Sequence, residues 1–107
     1  MHLTELEPQF IKREEPRRFR RVDTLAEADG VLFLCPQCFT ANGGAPGTHG
    51  IICWAPSVPQ DTFPTPGRWT MNGAGYVDLT LNPSIAILND AGCAAHFFVR
   101  AGEIVGA

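Results

Sequence analysis

The chain has 107 residues, of which 45% are hydrophobic and 18% are charged, and its formal net charge is −3. These values are typical of one soluble globular domain and exclude a disordered or fibrous protein. The 11 glycines and 9 prolines divide the chain into short segments, which favours strands and turns over long helices. We therefore predict an all-β, β-rich protein with one short helix, built as a small antiparallel meander sheet or sandwich.

The sequence favours a cytoplasmic protein with no membrane contact. The clearest apolar runs are Val31 to Cys35 and Ile51 to Ala55, far below the roughly 18 residues that a membrane span requires. Residues 1–7 carry acids and lack the basic start and apolar stretch of a secretory signal. In a reducing compartment, four cysteines are expected to bind metal or to remain free thiols.

Residues 1–22 are predicted to form an N-terminal basic arm or an edge strand, ahead of a zinc-binding β domain over residues 23–107. Phe10 and Ile11 favour a short strand, and Arg17 to Val22 favour a second extended segment. The arm carries four arginines that are candidates for partner binding: Arg17, Arg18, Arg20 and Arg21. The neighbouring acids and the acidic remainder of the chain argue against a general nucleic-acid surface, so a surface that faces a protein partner is the preferred interpretation.

Short elements follow in chain order. Asp23 or Thr24 can cap a short helix that Gly30 ends. The predicted strands and hairpin arms are residues 31–34, 51–55, 68–71, 76–81, 85–88, 96–99 and 103–105. The stretch 40–50 contains four glycines and a proline, which predicts a loop, and 56–67 is a second loop. Asn72-Gly73 predicts a hairpin turn, and residues 89–92 are expected to turn the chain into Cys93.

Two pairs of potential metal ligands share the same spacing. Cys35 and Cys38 are separated by two residues, as are Cys93 and His96. Two such half-sites supply three thiolates and one imidazole, a common tetrahedral set for structural zinc. We therefore predict one structural Zn²⁺ per chain, held by a zinc-ribbon-like pair of knuckles, with no open position for water.

Several neighbouring residues leave alternatives open. Cys53 lies within an apolar strand and is expected in the core. His49 is expected beside the ligands in its loop; it could instead replace His96 as fourth ligand, or act with Asp78 as a reactive pair near the metal. Redox chemistry at Cys35 and Cys38 is disfavoured because such motifs need a helix directly after them.

Trp54, Arg68 and Trp69 are candidates for partner binding. An arginine beside aromatic rings could hold a base or a peptide. Tryptophans in a small sheet more often fill its core, and that is the preferred interpretation here.

Five segments resemble a family of small, largely uncharacterised bacterial and tailed-phage proteins with a CPxC…H…CxxH pattern. They are CPQC, GTHGIICW, PGRW, DLTL with NPSI, and GCAAHFFVRAGEI, which together span about Val31 to Val105. Some members carry the label "ammonia monooxygenase", which nothing in this sequence supports. The resemblance implies a zinc-binding β domain in which Cys35, Cys38, Cys93 and His96 match the family positions and His49 matches a further one.

The sequence thus favours a small zinc-stabilised protein-interaction module, of phage or prophage origin, that binds a bacterial cytoplasmic or virion protein. A metal-dependent enzyme that uses His49 and Asp78 is the first alternative. A nucleic-acid binder that uses the arginine arm is the second.

Overall fold

The computed structural model describes residues 1–90 and 93–107, with the backbone alone for 88–90. Two four-stranded antiparallel sheets have the orders β2-β1-β3-β4 and β5-β6-β7-β8. The strands are β1 (Gln9–Glu15), β2 (Arg18–Val22), β3 (Gly30–Leu34), β4 (Gly50–Trp54), β5 (Thr70–Asn72), β6 (Thr80–Asp90), β7 (Cys93–Arg100) and β8 (Glu103–Gly106). One α-helix, α1 (Pro36–Asn42), and two 3-10 turns, Leu3–Leu6 and Leu25–Glu27, complete the described elements. The predicted β-rich fold with one short helix is confirmed.

One apolar core lies between the two sheets. Alternate residues of β3 and β4, among them Val31, Phe33 and Ile51, point into it from the first sheet. The second sheet contributes alternate residues of β6 and β7, and the ring of Phe33 meets that of Phe97 edge-on at 6.2 Å. Because side chains alternate across a strand, this shared core fixes which residues of β6 and β7 face outward.

The outer face of the first sheet is covered by the loop between β4 and β5. Trp54 and Val58 are buried there with Ile11. Arg68 holds this loop by donating hydrogen bonds to five carbonyl oxygens, those of Val58, Pro59, Thr62, Pro64 and Gly67. The guanidinium, which has five donors and no acceptor, is thus engaged in shaping the loop.

Residues 1–22 form part of the first sheet, because β1 pairs with both β2 and β3. The predicted hairpin around Asn72-Gly73 matches the antiparallel pair β5–β6, and the predicted arms 96–99 and 103–105 match the pair β7–β8. The predicted turn over 89–92 includes residues 91 and 92, which lie outside the described residues. Within the described ranges, no helix is both long and apolar enough to cross a bilayer.

The expectation that no helix follows the Cys35–Cys38 motif is wrong. Pro36 occupies the first position of α1, where its fixed φ and missing N–H suit a helix start. Gly43, at φ 69°, ends the helix, and its N–H bonds back to the last turn. The glycine-rich loop therefore starts only after α1, at residue 43.

Replacing Arg68 with Met should lower the free energy of unfolding by about 2 kcal/mol. The change keeps an unbranched apolar stem but leaves partly buried carbonyls without their charged donor. Equilibrium urea unfolding measures the effect, and Arg100→Met is a control because Arg100 lies over the Phe98 ring on the surface. Equal stability of the Arg68 variant and the unaltered protein would contradict this assignment.

Candidate functional site

Four side chains with metal-binding atoms gather at one end of the core: Cys35, Cys38, His49 and Cys93. Their ligand atoms all lie within 4.8 Å of one another. Cys35 and Cys93 are buried, and the other two are half-buried. Residues from three separate parts of the chain thus converge on one point.

Local structure explains this convergence. Cys35 directly follows β3 and occupies the N-cap position of α1, which places Cys38 in the first helical turn. The N–H of Cys35 donates to the carbonyl oxygen of His49 at 2.9 Å, and this bond extends the β3–β4 ladder by one residue pair. His49 is therefore held beside Cys35, although a glycine-rich loop separates them in sequence.

The distances within the group fit a tetrahedral ion. The sulfur atoms of Cys35 and Cys93 are 3.7 Å apart. A tetrahedron with zinc–sulfur bonds of about 2.3 Å has sulfurs separated by about 3.8 Å. Burial, with smaller contributions from the Cys38 and Cys35 thiols, raises the pKa of Cys93 to about 12. A bound cation would oppose that effect, because it stabilises the thiolate form.

His96, the predicted fourth ligand, lies outside this group, and His49 stands in its place. β7 is a regular strand in which Cys93, Ala95 and Phe97 are buried while His96 is exposed. Residues three apart on a strand point to opposite faces. The prediction assumed a tight turn after Cys93, in which both side chains could face one ion.

On the outer face of β7, His96 meets a serine. Its Nε2 atom lies 2.8 Å from the Oγ atom of Ser84 on β6. With its proton on Nδ1, the neutral ring can accept a hydrogen bond from the Ser84 hydroxyl. Among the described residues, no carboxylate is bonded to His96, so the serine and the histidine form a dyad.

An irregularity in β6 places Ser84 within reach of His96. The pairing moves from Leu81↔Val99 to Ile85↔Phe97, so β6 advances by four residues while β7 advances by two. Such bulges redirect side chains and are common next to active sites. Ala86 lies directly opposite His96 in the register, and its small side chain leaves the imidazole free to lean toward Ser84.

Trp69 connects the two sheets beside this dyad. Its backbone N–H donates to the carbonyl oxygen of Trp54 at the end of β4 (2.8 Å). Its indole Nε1 donates to the carbonyl oxygen of Ser84 (3.2 Å). Trp69 therefore fixes the backbone of Ser84 relative to the first sheet.

A groove of about 540 Å³ opens next to Ser84. One wall is Gly50 to Ile52 of β4, the other is residues 83–87, and the loop 63–69 closes its end. The lining is mostly apolar, and Ser84 is one of the lining residues. A serine hydroxyl that contacts an imidazole, next to an apolar groove, is an arrangement found in many enzyme sites.

The other predicted residues have different roles. Trp54 is buried, and its Nε1 donates to the carbonyl oxygen of Phe63. Cys53 is fully buried, and burial raises its pKa. The Asp78 carboxylate accepts hydrogen bonds from the N–H groups of Gly75 and Ala74 in the turn before β6, and these bonds lower its pKa. Asp78 is not one of the four grouped side chains.

The arginine arm is exposed. Arg17, Arg18, Arg20 and Arg21 lie on β2 and the turn before it. The Nη2 atom of Arg18 lies 3.4 Å from a carboxylate oxygen of Glu15, and the Nε atom of Arg20 lies 4.0 Å from one of Glu14. These acids offset part of the arm's positive charge.

Sequence reasoning missed Ser84 and the bonds of Trp69. The available signal was Asn82-Pro83-Ser84 within an otherwise alternating strand, where proline marks an edge or a bulge. The chain has two serines, Ser57 and Ser84, so a search for nucleophiles had few candidates.

Comparison with known proteins identifies a family. The model of the family BubE, described as "Bacterial ubiquitination-like system serine protease", matches residues 6–107. The chain belongs to this family. No curated protein and no solved structure matches the chain.

The BubE match covers nearly all of the chain, including most of the N-terminal arm. The bacterial part of the predicted resemblance agrees with this match. The predicted phage or prophage origin and the cytoplasmic location stay predictions.

Replacing His49 with Ala should weaken zinc binding sharply, whereas His96→Ala should leave it nearly unchanged. Of these two histidines, His49 lies within ligand distance of the three thiols, and loss of one of four ligands removes a large part of the binding free energy. Competition titration with a chromophoric chelator measures the affinity of each variant.

Cys53→Ala serves as the control for a cysteine outside the group. It should lose about 1–2 kcal/mol of stability by truncation of a buried side chain and retain the full zinc stoichiometry. The reverse ranking of the two histidine variants would contradict the assignment of His49.

Proposed function

We propose that this BubE-family chain is a serine peptidase of a bacterial ubiquitination-like system, with Ser84 as nucleophile and His96 as general base. The observation that carries the proposal is the 2.8 Å separation of Ser84 Oγ and His96 Nε2. That distance lies within the range required for proton transfer between a nucleophile and its base. The family description names a serine protease, and the structure brings a histidine to one of the two serines.

The reaction follows the ordinary course of acyl transfer. Ser84 Oγ attacks the scissile carbonyl carbon while His96 Nε2 takes its proton, and the carbonyl oxygen becomes an oxyanion. The imidazolium then returns that proton to the leaving amine nitrogen as the C–N bond breaks, which leaves an acyl-serine. Water, deprotonated by the same imidazole, releases the acid and restores Ser84.

Trp69 is a positioning residue in this scheme. Its indole N–H holds the carbonyl of Ser84, which limits rotation of the nucleophile's backbone within the bulge. Small displacements of a nucleophile reduce the rate strongly, because reaction requires a narrow range of distances and angles.

We propose further that Cys35, Cys38, His49 and Cys93 hold one structural Zn²⁺. Three thiols and one imidazole within 4.8 Å of one another make a ligand set typical of closed structural sites. An ion there would connect β3, α1, the start of β4 and the start of β7. Its contribution would be stability, because the dyad residues lie on the opposite face of β7 from Cys93.

This proposal replaces the non-enzymatic interaction module that the sequence favoured. It also gives little support to a reactive pair of His49 and Asp78, because the Asp78 carboxylate accepts backbone N–H groups of its own turn. Nucleic-acid binding through the arginine arm stays an unfavoured prediction.

Ser84→Ala should abolish covalent labelling by a fluorophosphonate probe, while Ser57→Ala should label as the unaltered protein does. The probe requires a serine oxygen activated by a base. Labelling of the intact protein is measured by mass spectrometry, with the modified peptide identified. His96→Ala should slow labelling at least about 100-fold. Unchanged labelling of the Ser84 variant would refute the nucleophile.

Trp69→Phe should slow fluorophosphonate labelling about three- to tenfold, the factor expected for loss of one positioning hydrogen bond. The ring is kept, so the groove retains an aromatic wall. Trp54→Phe is the matched control, since it removes the bond to Phe63 and should lower stability without slowing labelling.

Zinc content and melting temperature of the Trp69 variant should stay close to those of the unaltered protein. A slower rate that appeared equally in both tryptophan variants would reduce the role of Trp69 to general stability.

A further inference from the structure

The groove beside Ser84 lies between two sheet edges. In the β3–β4 pair, the N–H of Cys35 bonds to His49 and that of Ala55 bonds to Asp29. These bonds and the register between them direct the backbone groups of Ile51 and Cys53 toward β3. The N–H and C=O of Ile52 therefore point away from the sheet, into the groove that Ile52 lines.

The same alternation applies to β6. The N–H of Ala107 bonds to the carbonyl of His96. The backbone N–H and C=O groups of the even-numbered residues of β7 therefore point toward β8, and those of its odd-numbered residues point toward β6. In β6, the backbone N–H and C=O groups of Ile85 and Ile87 consequently point toward β7. Those of Ser84 and Ala86 point toward the opposite edge of the strand. The bond from the Trp69 indole to the Ser84 carbonyl agrees with this direction.

Strand β5 leaves part of that side open. It pairs with β6 only from Thr80 to Asn82, and Trp69 takes the carbonyl of Ser84. Among the described residues, nothing is bonded to the groove-facing N–H and C=O of Ala86. Backbone groups at an open edge are a ready template for another extended chain.

We propose that the substrate binds as an extended peptide that adds to the β6 edge at Ala86, inside the groove, with its scissile carbonyl beside Ser84. The proposal rests on the peptidase activity of Ser84. Main-chain bonds give affinity in this mode, and pockets for alternate side chains give specificity. The apolar lining, which includes Ile51, Ile85 and Trp69, favours a peptide with apolar side chains.

The groove extends beyond a single residue. A second cleft of about 450 Å³ runs from Ile52 and Phe63, which also line the first, toward Arg17 and Arg18. Phe63 is 75% exposed at the junction. A peptide of several residues therefore has a continuous path from Ser84 along the edge of β4.

The test compares two reagents that react with the same serine. A fluorophosphonate forms the Oγ–P bond with release of fluoride and has no peptide. An acetylated trileucine diphenyl phosphonate forms the same bond with release of phenol and carries peptide amides. Single N-methylation of the trileucine reagent, one amide at a time, removes one donor without altering the protein. At least one methylation should lower the inactivation rate constant about three- to tenfold.

The variant Ala86→Pro provides the complementary measurement. It removes the groove-facing N–H and keeps the ladder to β7, as proline can on an open edge. The ratio of its rate toward the trileucine reagent to its rate toward the fluorophosphonate should fall by the same factor of about three to ten, and taking the ratio removes any effect of the variant on the dyad itself. Gly106→Pro is the matched control. The N–H of residue 106 points away from β7, and a Cβ atom there meets nothing within 4 Å.

The outcomes separate the two proposals. Labelling of Ser84 by both reagents at rates that no N-methylation changes would overturn the groove and leave the peptidase standing. Failure of the folded protein to react with the fluorophosphonate would overturn the peptidase and the groove with it. The N-methylation series decides the question even if the Ala86 variant does not fold.

Discussion

Strand β7 has to satisfy two different surroundings at once, and the rest of the molecule is arranged around that requirement. Its inward residues, from Cys93 to Val99, belong to the core shared by the two sheets. Its outward residue His96 faces solvent and Ser84. A shift of one residue in the β6–β7 register would exchange these faces, moving Cys93 away from the other thiols and His96 into the core.

The group of three thiols and one imidazole (Cys35, Cys38, His49 and Cys93) is thus separate in space from the dyad but linked to it through one strand. An ion held by Cys93 would restrain the start of β7, three residues before His96. Trp69 restrains the other half of the dyad through the Ser84 carbonyl. The two restraints come from different parts of the first sheet, one from the end of β3 and one from the end of β4. The relative position of the sheets therefore sets the geometry of the dyad.

Local patterns in the sequence predicted most of the strands, because alternation and turn residues act over short distances. The same spacing argument found Cys35, Cys38 and Cys93. It failed for His49, whose position depends on a backbone bond to Cys35 across a loop. It failed for His96 because a strand continues through Cys93, although the apolar residues at 95, 97 and 99 carry the alternation that would have placed His96 outside.

Ser84 could not be assigned from local pattern. Its partner lies on a neighbouring strand, and their contact depends on a bulge whose size is visible only in the paired register. Helix α1 carries opposing local signals, because the glycines after it disfavour a helix whereas Pro36 and Gly43 at its two ends favour one. Both failures concern features in which two distant or opposing signals must be combined.

The anchoring of the loop after β4 has a consequence for substitutions in that loop. Arg68 grips that loop only through carbonyl oxygens, which every amino acid provides. Side chains that this loop exposes, such as that of Phe63, can therefore be exchanged while these bonds are retained, whereas Thr62 is buried and bonds to Arg13. Because this loop forms the end of the groove and carries the exposed ring of Phe63, the chemical character of that end can change through exposed side chains while the contact between Ser84 and His96 stays the same.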